Sequence, residues 1–428
     1  MTSDVRGKPS AHQEVPSKLE HPDSQWGEIQ RGYRVMVAGA IVIGLAMPTI
    51  SIYALPYFMG ALNAEFGWQR QEIGVAVSCL TLTIFLGGPW VGRLVDRLGV
   101  KKIATVSIVL YALGLAAMSQ ISSSIWTLYA GYVGLALLGL GASHICYLRA
   151  VASWFDHARG IALGVTGAGA GIFAAIAPLF LPQWIEAYGW RSAWMLLGAM
   201  AMVALPVMLL FLGEYQSKGH GHGRRGATQG MSSAQARRTR AFWLMLIGVF
   251  ALGVGLVGLT VQLVPLVTEV TGSGKSAALA GGLFGVSLMC GRFFTGFFLD
   301  RFPARIVSAV IYCAPVLAIA IFASGHPFGP AALGIGLGIA AGAENDILSY
   351  LVARYFGIRS FSELFGWMYG ALSLGAAIGP VLIRVLYGLG WHSNGALAAS
   401  AALCAVAAVL YACLGAYPVE EKVAGQEA

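Results

Sequence analysis

Residues 92–102 read GRLVDRLGVKK. Long apolar runs flank them, 72–92 on one side and 103–121 on the other. Arg93, Asp96, Arg97, Lys101 and Lys102 therefore crowd into a short break between two hydrophobic stretches. About 20 apolar residues in a helix cross the ~30 Å hydrocarbon layer of a bilayer. The break reads as a tight loop joining two membrane-crossing helices. Gly92 allows a neighbouring helix to approach closely, and Asp96 and Arg97 sit at a helix end where they can bridge to it.

The pattern returns in the second half of the chain. Residues 296–305 read GFFLDRFPAR, again Gly-x3-Asp-Arg, with Gly296, Asp300 and Arg301 in the matching places. A second echo pairs SWFDHARGIALG (153–164) with ARYFGIRSFSELFG (353–366). Setting Phe155 against Phe356 places His144 opposite Asn345. Internal repeats of this kind are a transporter signature.

Composition agrees. The chain is 57% hydrophobic and 11% charged, with a mean hydropathy of +0.72. Soluble domains carry roughly 25% charged residues. Twelve runs are long enough to span: 35–57, 72–92, 103–121, 125–148, 160–182, 193–212, 242–266, 276–299, 305–323, 329–352, 363–387 and 394–415. With a cytoplasmic N-terminus, the inner loops hold sixteen Lys and Arg and the outer loops only Arg70, Arg191, Lys275 and Arg384. That is a positive-inside distribution. The net charge of +8 thus reports membrane orientation and gives no sign of a nucleic-acid partner.

The expected organisation is a cytoplasmic tail (1–33), a six-helix bundle (34–213), a basic cytoplasmic linker (214–241), a second six-helix bundle (242–416) and a cytoplasmic tail (417–428). The first 33 residues lack the apolar core of a cleavable signal, so the first run is expected to be a retained helix. His220 and His222 lie in the Gly-, Ser- and Arg-rich linker without further ligands nearby, and read as solvated. The six cysteines show no CxxC or Cys/His spacing and read as packing residues. GSGKS at 272–276 lacks the first glycine of a phosphate loop, because Glu269 stands there. GAGAG at 167–171 lacks the dinucleotide-binding spacing and reads as close helix packing. No nucleophile–base spacing or metal cluster stands out. An enzyme is not expected, nor is a cofactor.

These residues carry a resemblance across nearly the whole chain. The loop Gly92–Lys102 resembles the signature of the major facilitator superfamily, which implies two pseudo-symmetric six-helix bundles around a central site, with both termini cytoplasmic. EFGWQRQEI, SWFDHARGIALGVTGAGAG and YGWRSAW resemble the monocarboxylate porter and oxalate/formate antiporter branch. In that branch, Arg292 of MCGRFFTG matches an arginine used for substrate carboxylates. The branch's porters pair it with an Asp four residues earlier, where this chain has Leu288. The acidic-Gly motif of their first helix is replaced here by RGYRVMV, and span 11 has no interior cation.

Charges at mid-bilayer cost roughly 2.5–3.5 kcal/mol each on insertion scales, so they face protein or water. Four read as intramembrane charges: Arg149, Arg292, Glu344 and Asp346. Arg292 lies eight residues before Asp300, and Asp346 eight before Arg354, so the two share a depth. An Arg fork suits a carboxylate. Asp346 is expected to hold that fork in the empty carrier and to yield it to a substrate anion. Residues two apart on a helix diverge by ~160°. Asp346 is therefore expected to face the cavity, and Glu344 to be a buried helix-contact acid. Burial favours the neutral form of a carboxylic acid, so either could carry a transported proton. Arg149 is expected near the Asp96 loop, in a cytoplasmic gate with Gly92, Arg97, Gly296, Asp300 and Arg301. His144, Tyr53, Tyr57, Gln262, Trp367 and Tyr369 complete the expected cavity.

The reading is a single-chain, monomeric secondary transporter of a small organic anion, most simply a monocarboxylate taken up with protons, in a bacterial inner membrane. An anion exchanger, a drug-type exporter and a membrane sensor retaining the fold are the alternatives.

Overall fold

The structure, a computed structural model, describes residues 25–211, 230–415 and 417. His220, His222, the outer parts of both tails and most of the linker lie outside the described residues.

Among the described residues, eleven helices are long and apolar enough to cross a membrane. One of them, Arg159–Phe211, is 53 residues long and turns at Gly189 (φ 81°, ψ 160°), so it crosses twice. Twelve crossings result. The first is α1 (Gln25–Gly44) with α2 (Thr49–Phe66). The second and third are α3 (Arg70–Leu98) and α4 (Val100–Ala117). The fourth is α5 (Ile125–Gly139) with α6 (His144–Trp154). The fifth and sixth are the two arms of α7 (Arg159–Phe211). A short α8 (Ser233–Ala236) precedes the second half. There the seventh crossing is α9 (Arg240–Leu252) with α10 (Gly258–Thr271), followed by α11 (Gly274–Leu299), α12 (Ala304–Ala323), α13 (Gly329–Phe356), α14 (Phe361–Gly388) and α15 (His392–Ala412).

The helices outrun the apolar runs that announced them. α3 starts at Arg70 through a capping box, in which Gln69 N–H donates to Glu72 Oε2 at 2.8 Å. α1 already includes residues 25–34, ahead of the first apolar run, and Glu28 there anchors it: its carboxylate accepts from Asp156 N–H and Ala158 N–H, both at 2.8 Å. Hydropathy marks the part of a helix in hydrocarbon, whereas capping decides where it ends.

Three crossings are broken at mid-depth. α1 and α2 part at residues 45–48, α5 and α6 at 140–143, and α9 runs into α10 through a π-helical turn at Gly253–Val257. Irregular backbone inside a bilayer is tolerated only where protein or a cavity covers it. These are the first, fourth and seventh crossings, so the breaks recur every third helix. Their counterpart, α13, is continuous and is buried over most of its length.

Large apolar side chains face outward around the molecule: Leu86, Trp90, Phe294, Val310 and Leu317 are all exposed. Such a belt suits hydrocarbon, not water. The two halves meet along α3 with α14 and along α7 with α11. A Cβ on Gly92 would strike the Ser362 carbonyl, one on Gly366 would lie 2.5 Å from the Gly88 carbonyl, and one on Gly160 would strike the Gly296 carbonyl. The glycines of the repeated motif are therefore where backbone meets backbone. Gly99, between α3 and α4, has φ 86°, which a side chain would strain.

Candidate substrate site and cytoplasmic closure

Arg292 is 5% exposed and Asp346 1%. Arg292 Nη1 and Asp346 Oδ1 are 3.6 Å apart. The helices holding them, α11 and α13, pack closely because α13 offers small residues. Cβ atoms on Gly334, Gly338 and Gly342 would meet the carbonyls of Ala280, Phe284 and Leu288. The pair lies against α7 of the other bundle. A Cβ on Gly167 would strike Arg292 Nη1 and come within 2.8 Å of Asp346 Oδ1. Arg292 Nε and Nη1 and both Asp346 oxygens are sealed, with no hydrogen-bond partner among the described residues.

The two acids do not divide as helical geometry suggested. Asp346 is the sealed one. Glu344 is half-buried, its Oε2 lacks a hydrogen-bond partner, and the charges of Arg292 and Asp346 both act on it. α13 is covered on nearly every side, so both of its acidic faces meet protein, and the long Arg292 side chain is near both.

Tyr53 on α2 feels the charges of Arg292 and Glu344, yet it is 37% exposed. Tyr57, one turn on, is half-buried. Tyr369 on α14 feels Glu344, Tyr53 and Arg292. Its ring lies 5.7 Å from that of His144 and stacks on Phe365 at 5.8 Å. His144 is the first residue of α6, after Ser143, whose side chain accepts from Ile145 N–H. His144 Nδ1 is buried without a partner, and Arg292's charge acts on the ring. Between the bundles, Tyr53, His144, Arg292, Glu344 and Tyr369 thus lie within reach of one another's charges or rings. Trp367, two residues before Tyr369 on α14, is half-buried, and its Nε1 is buried with no hydrogen-bond partner among the described residues. Gln262 is half-buried on α10, and no contact ties it to this group.

At the end that carries the repeated Gly-x3-Asp-Arg loops, two carboxylates join the bundles. Asp96 accepts from Ser362 N–H (3.1 Å) and Glu363 N–H (2.9 Å) at the start of α14, and forms an ion pair with Arg149. Asp300 accepts from Gly160 N–H (2.7 Å) and Ile161 N–H (3.0 Å) at the start of α7. Each acid caps a helix of the opposite bundle, where unsatisfied N–H groups and the helix dipole favour negative charge. Burial nevertheless raises the Asp300 carboxyl above the usual aspartate range, against the two amides and the nearby Arg159 and Arg354. Arg97 and Arg301 do not join in. Both are exposed, and Arg301 lies over the Phe297 ring at 3.5 Å. Adjacent helical residues diverge by ~100°, so turning the acid inward turns the following base outward.

Several residues escaped the sequence reading. Glu363 takes Arg93 through Nη2 (2.7 Å) and Nε (3.2 Å), and Ser233 Oγ at 2.8 Å. It thereby ties the first bundle and the end of the linker to α14. Gly167 seats the Arg292–Asp346 pair. Its signal was GAGAG, read only as packing. Glu363 and Glu28 looked like ordinary acids of a helix end and a tail.

Residues 37–343 match the family model described as Major Facilitator Superfamily. The chain belongs to that family and is a multi-pass membrane transporter, not an enzyme. The 4-hydroxybenzoate transporter PcaK of Acinetobacter baylyi is 23% identical over 400 residues, covering 84% of this chain and 86% of that protein. Human monocarboxylate transporter 2 is 25% identical over 221 residues, 51% of this chain and 45% of that one. The riboflavin transporter RibJ of Trypanosoma brucei brucei is 31% identical over 118 residues, 28% of this chain, which spans only 22% of RibJ. Among solved structures, FucP in its outward conformation superposes with a TM-score of 0.68 at 18% identity, covering 89% of this chain and 97% of FucP. The same fold is thus present.

Proposed function

We propose that this transporter carries a small organic anion, a monocarboxylate, together with a proton across a bacterial inner membrane, working as a monomer. The observation that carries the reading is the buried Arg292–Asp346 pair, charged yet without a hydrogen bond. An arginine fork held this way is ready to exchange one carboxylate for another. Substrate carboxylate takes the fork, and the displaced Asp346 accepts a proton. Glu344, beside the same arginine, is the second acid available for proton transfer.

The bundles 34–213 and 242–416 then rock about the site, opening it to each side in turn. Asp96 with Arg149 and Asp300 latch the cytoplasmic side at Gly92 and Gly296. Tyr53, Tyr57, His144 and Tyr369 line the path to the arginine. The names of PcaK and monocarboxylate transporter 2 support a carboxylate cargo. The test is counterflow in proteoliposomes with a panel of labelled carboxylates, with and without a pH gradient. Accumulation must follow the gradient. Uptake that needs internal counter-anion and ignores the gradient would make the protein an exchanger instead.

A further inference from the structure

The described part of the central site holds one cation and two acids. Arg292 has an acid partner in Asp346. Glu344 has no ion pair of its own within 4.0 Å among the described residues, and its Oε2 is buried without a hydrogen bond. An acid left so is costly unless something answers it. The protein does not supply that answer. The three tyrosines on which Glu344's charge acts, Tyr53, Tyr312 and Tyr369, give it no hydrogen bond. Two of them, Tyr53 and Tyr369, also feel Arg292, so cation and second acid lie close together between the bundles. Tyr53 is 37% exposed.

A plain monocarboxylate would satisfy Arg292 and place its own negative charge near an unanswered acid. A carboxylic acid bearing an O–H or N–H donor elsewhere in the molecule would satisfy both groups. We infer that Glu344 reads such a donor, and that the cargo is a hydroxy- or amino-substituted carboxylic acid. The inference rests on the carboxylate reading of Arg292 above. Glu344 then sets specificity, because a deoxy analogue leaves its carboxylate unpaired inside the closed carrier.

The experiment uses the purified full chain and matched acids. The sets are propanoate, 2-hydroxypropanoate, 3-hydroxypropanoate and 2-aminopropanoate, and benzoate, 3- and 4-hydroxybenzoate and 4-aminobenzoate. In at least one set the donor-bearing acid should bind the wild-type protein roughly tenfold or more tightly than its parent. Glu344→Ala should bring that ratio close to one, with the donor-bearing acid losing affinity relative to its parent. Glu344→Gln, similar in shape, covers failure of the alanine protein to fold. A neutral acceptor makes a weaker bond, so the ratio must fall there too. Equal affinities within every set in the wild type, or a ratio that survives both substitutions, would overturn the inference. Failure of every carboxylate to bind would instead remove the carboxylate reading itself.

Discussion

Arg292 Nη1 and Asp346 Oδ1 stand 3.6 Å apart, close enough to attract strongly and too far for a hydrogen bond. Among the described residues, Arg292 Nε and Nη1 and both Asp346 oxygens are buried without a hydrogen-bond partner. Two charges sealed on different helices without hydrogen bonds are poorly compensated. An arrangement of this kind suits a site that must release one partner to accept another.

Asp346→Asn removes the proton-accepting charge while keeping the shape. Accumulation driven by a pH gradient should be lost, and exchange of labelled for unlabelled substrate should persist. Both are read in the same proteoliposome preparation. Loss of exchange with the gradient response would assign Asp346 to binding.

Gly167→Ala puts a methyl group against Arg292 Nη1 and 2.8 Å from Asp346 Oδ1. Overpacking costs about 1–3 kcal/mol. The variant should insert and purify normally yet transport at a small fraction of the wild-type rate. Gly74→Ala is the control, since a Cβ there meets nothing within 4 Å. Equal transport by the two variants would contradict the seating of the pair on Gly167.

Asp96→Ala removes the cap on α14 and breaks the buried ion pair with Arg149, at a cost of about 3–5 kcal/mol to that closure. Spin labels at residues 94 and 359 should show a wider distance distribution than in the parent. An unchanged distribution would mean that Gly92 packing alone holds the closure.

Asp300 behaves differently on acidification. Burial raises its carboxyl, so the closed form binds a proton more tightly than a form with Asp300 in water. By linkage, lowering the cytoplasmic pH from above the raised value toward the ordinary aspartate value of about 3.9 favours closure, and raising it disfavours closure. Labels at residues 157 and 302 should draw into a narrower distribution as pH falls. Asp300→Asn should lose that dependence without opening the gate as far as Asp300→Ala.

The fold was legible because hydropathy, loop charge and the repeated Gly-x3-Asp-Arg all report the same twelve crossings. The depth match of Arg292 and Asp346 was legible from counting turns against Asp300 and Arg354. What counting could not give was which neighbour each helix face meets. Glu344 and Asp346 diverge on α13 as geometry requires, but α13 is enclosed, so divergence did not separate a cavity face from a lipid face. Gly167, Glu28 and Glu363 act through contacts between segments far apart in sequence, which periodicity does not encode.

The central claim is that Arg292 receives the substrate carboxylate. Binding of the best labelled carboxylate to purified wild type, Arg292→Lys and Arg292→Ala tests it most directly. The claim predicts saturable wild-type binding and none by either variant, because a lysine keeps the charge and loses the planar fork. Wild-type affinity in the folded Arg292→Ala protein would contradict it.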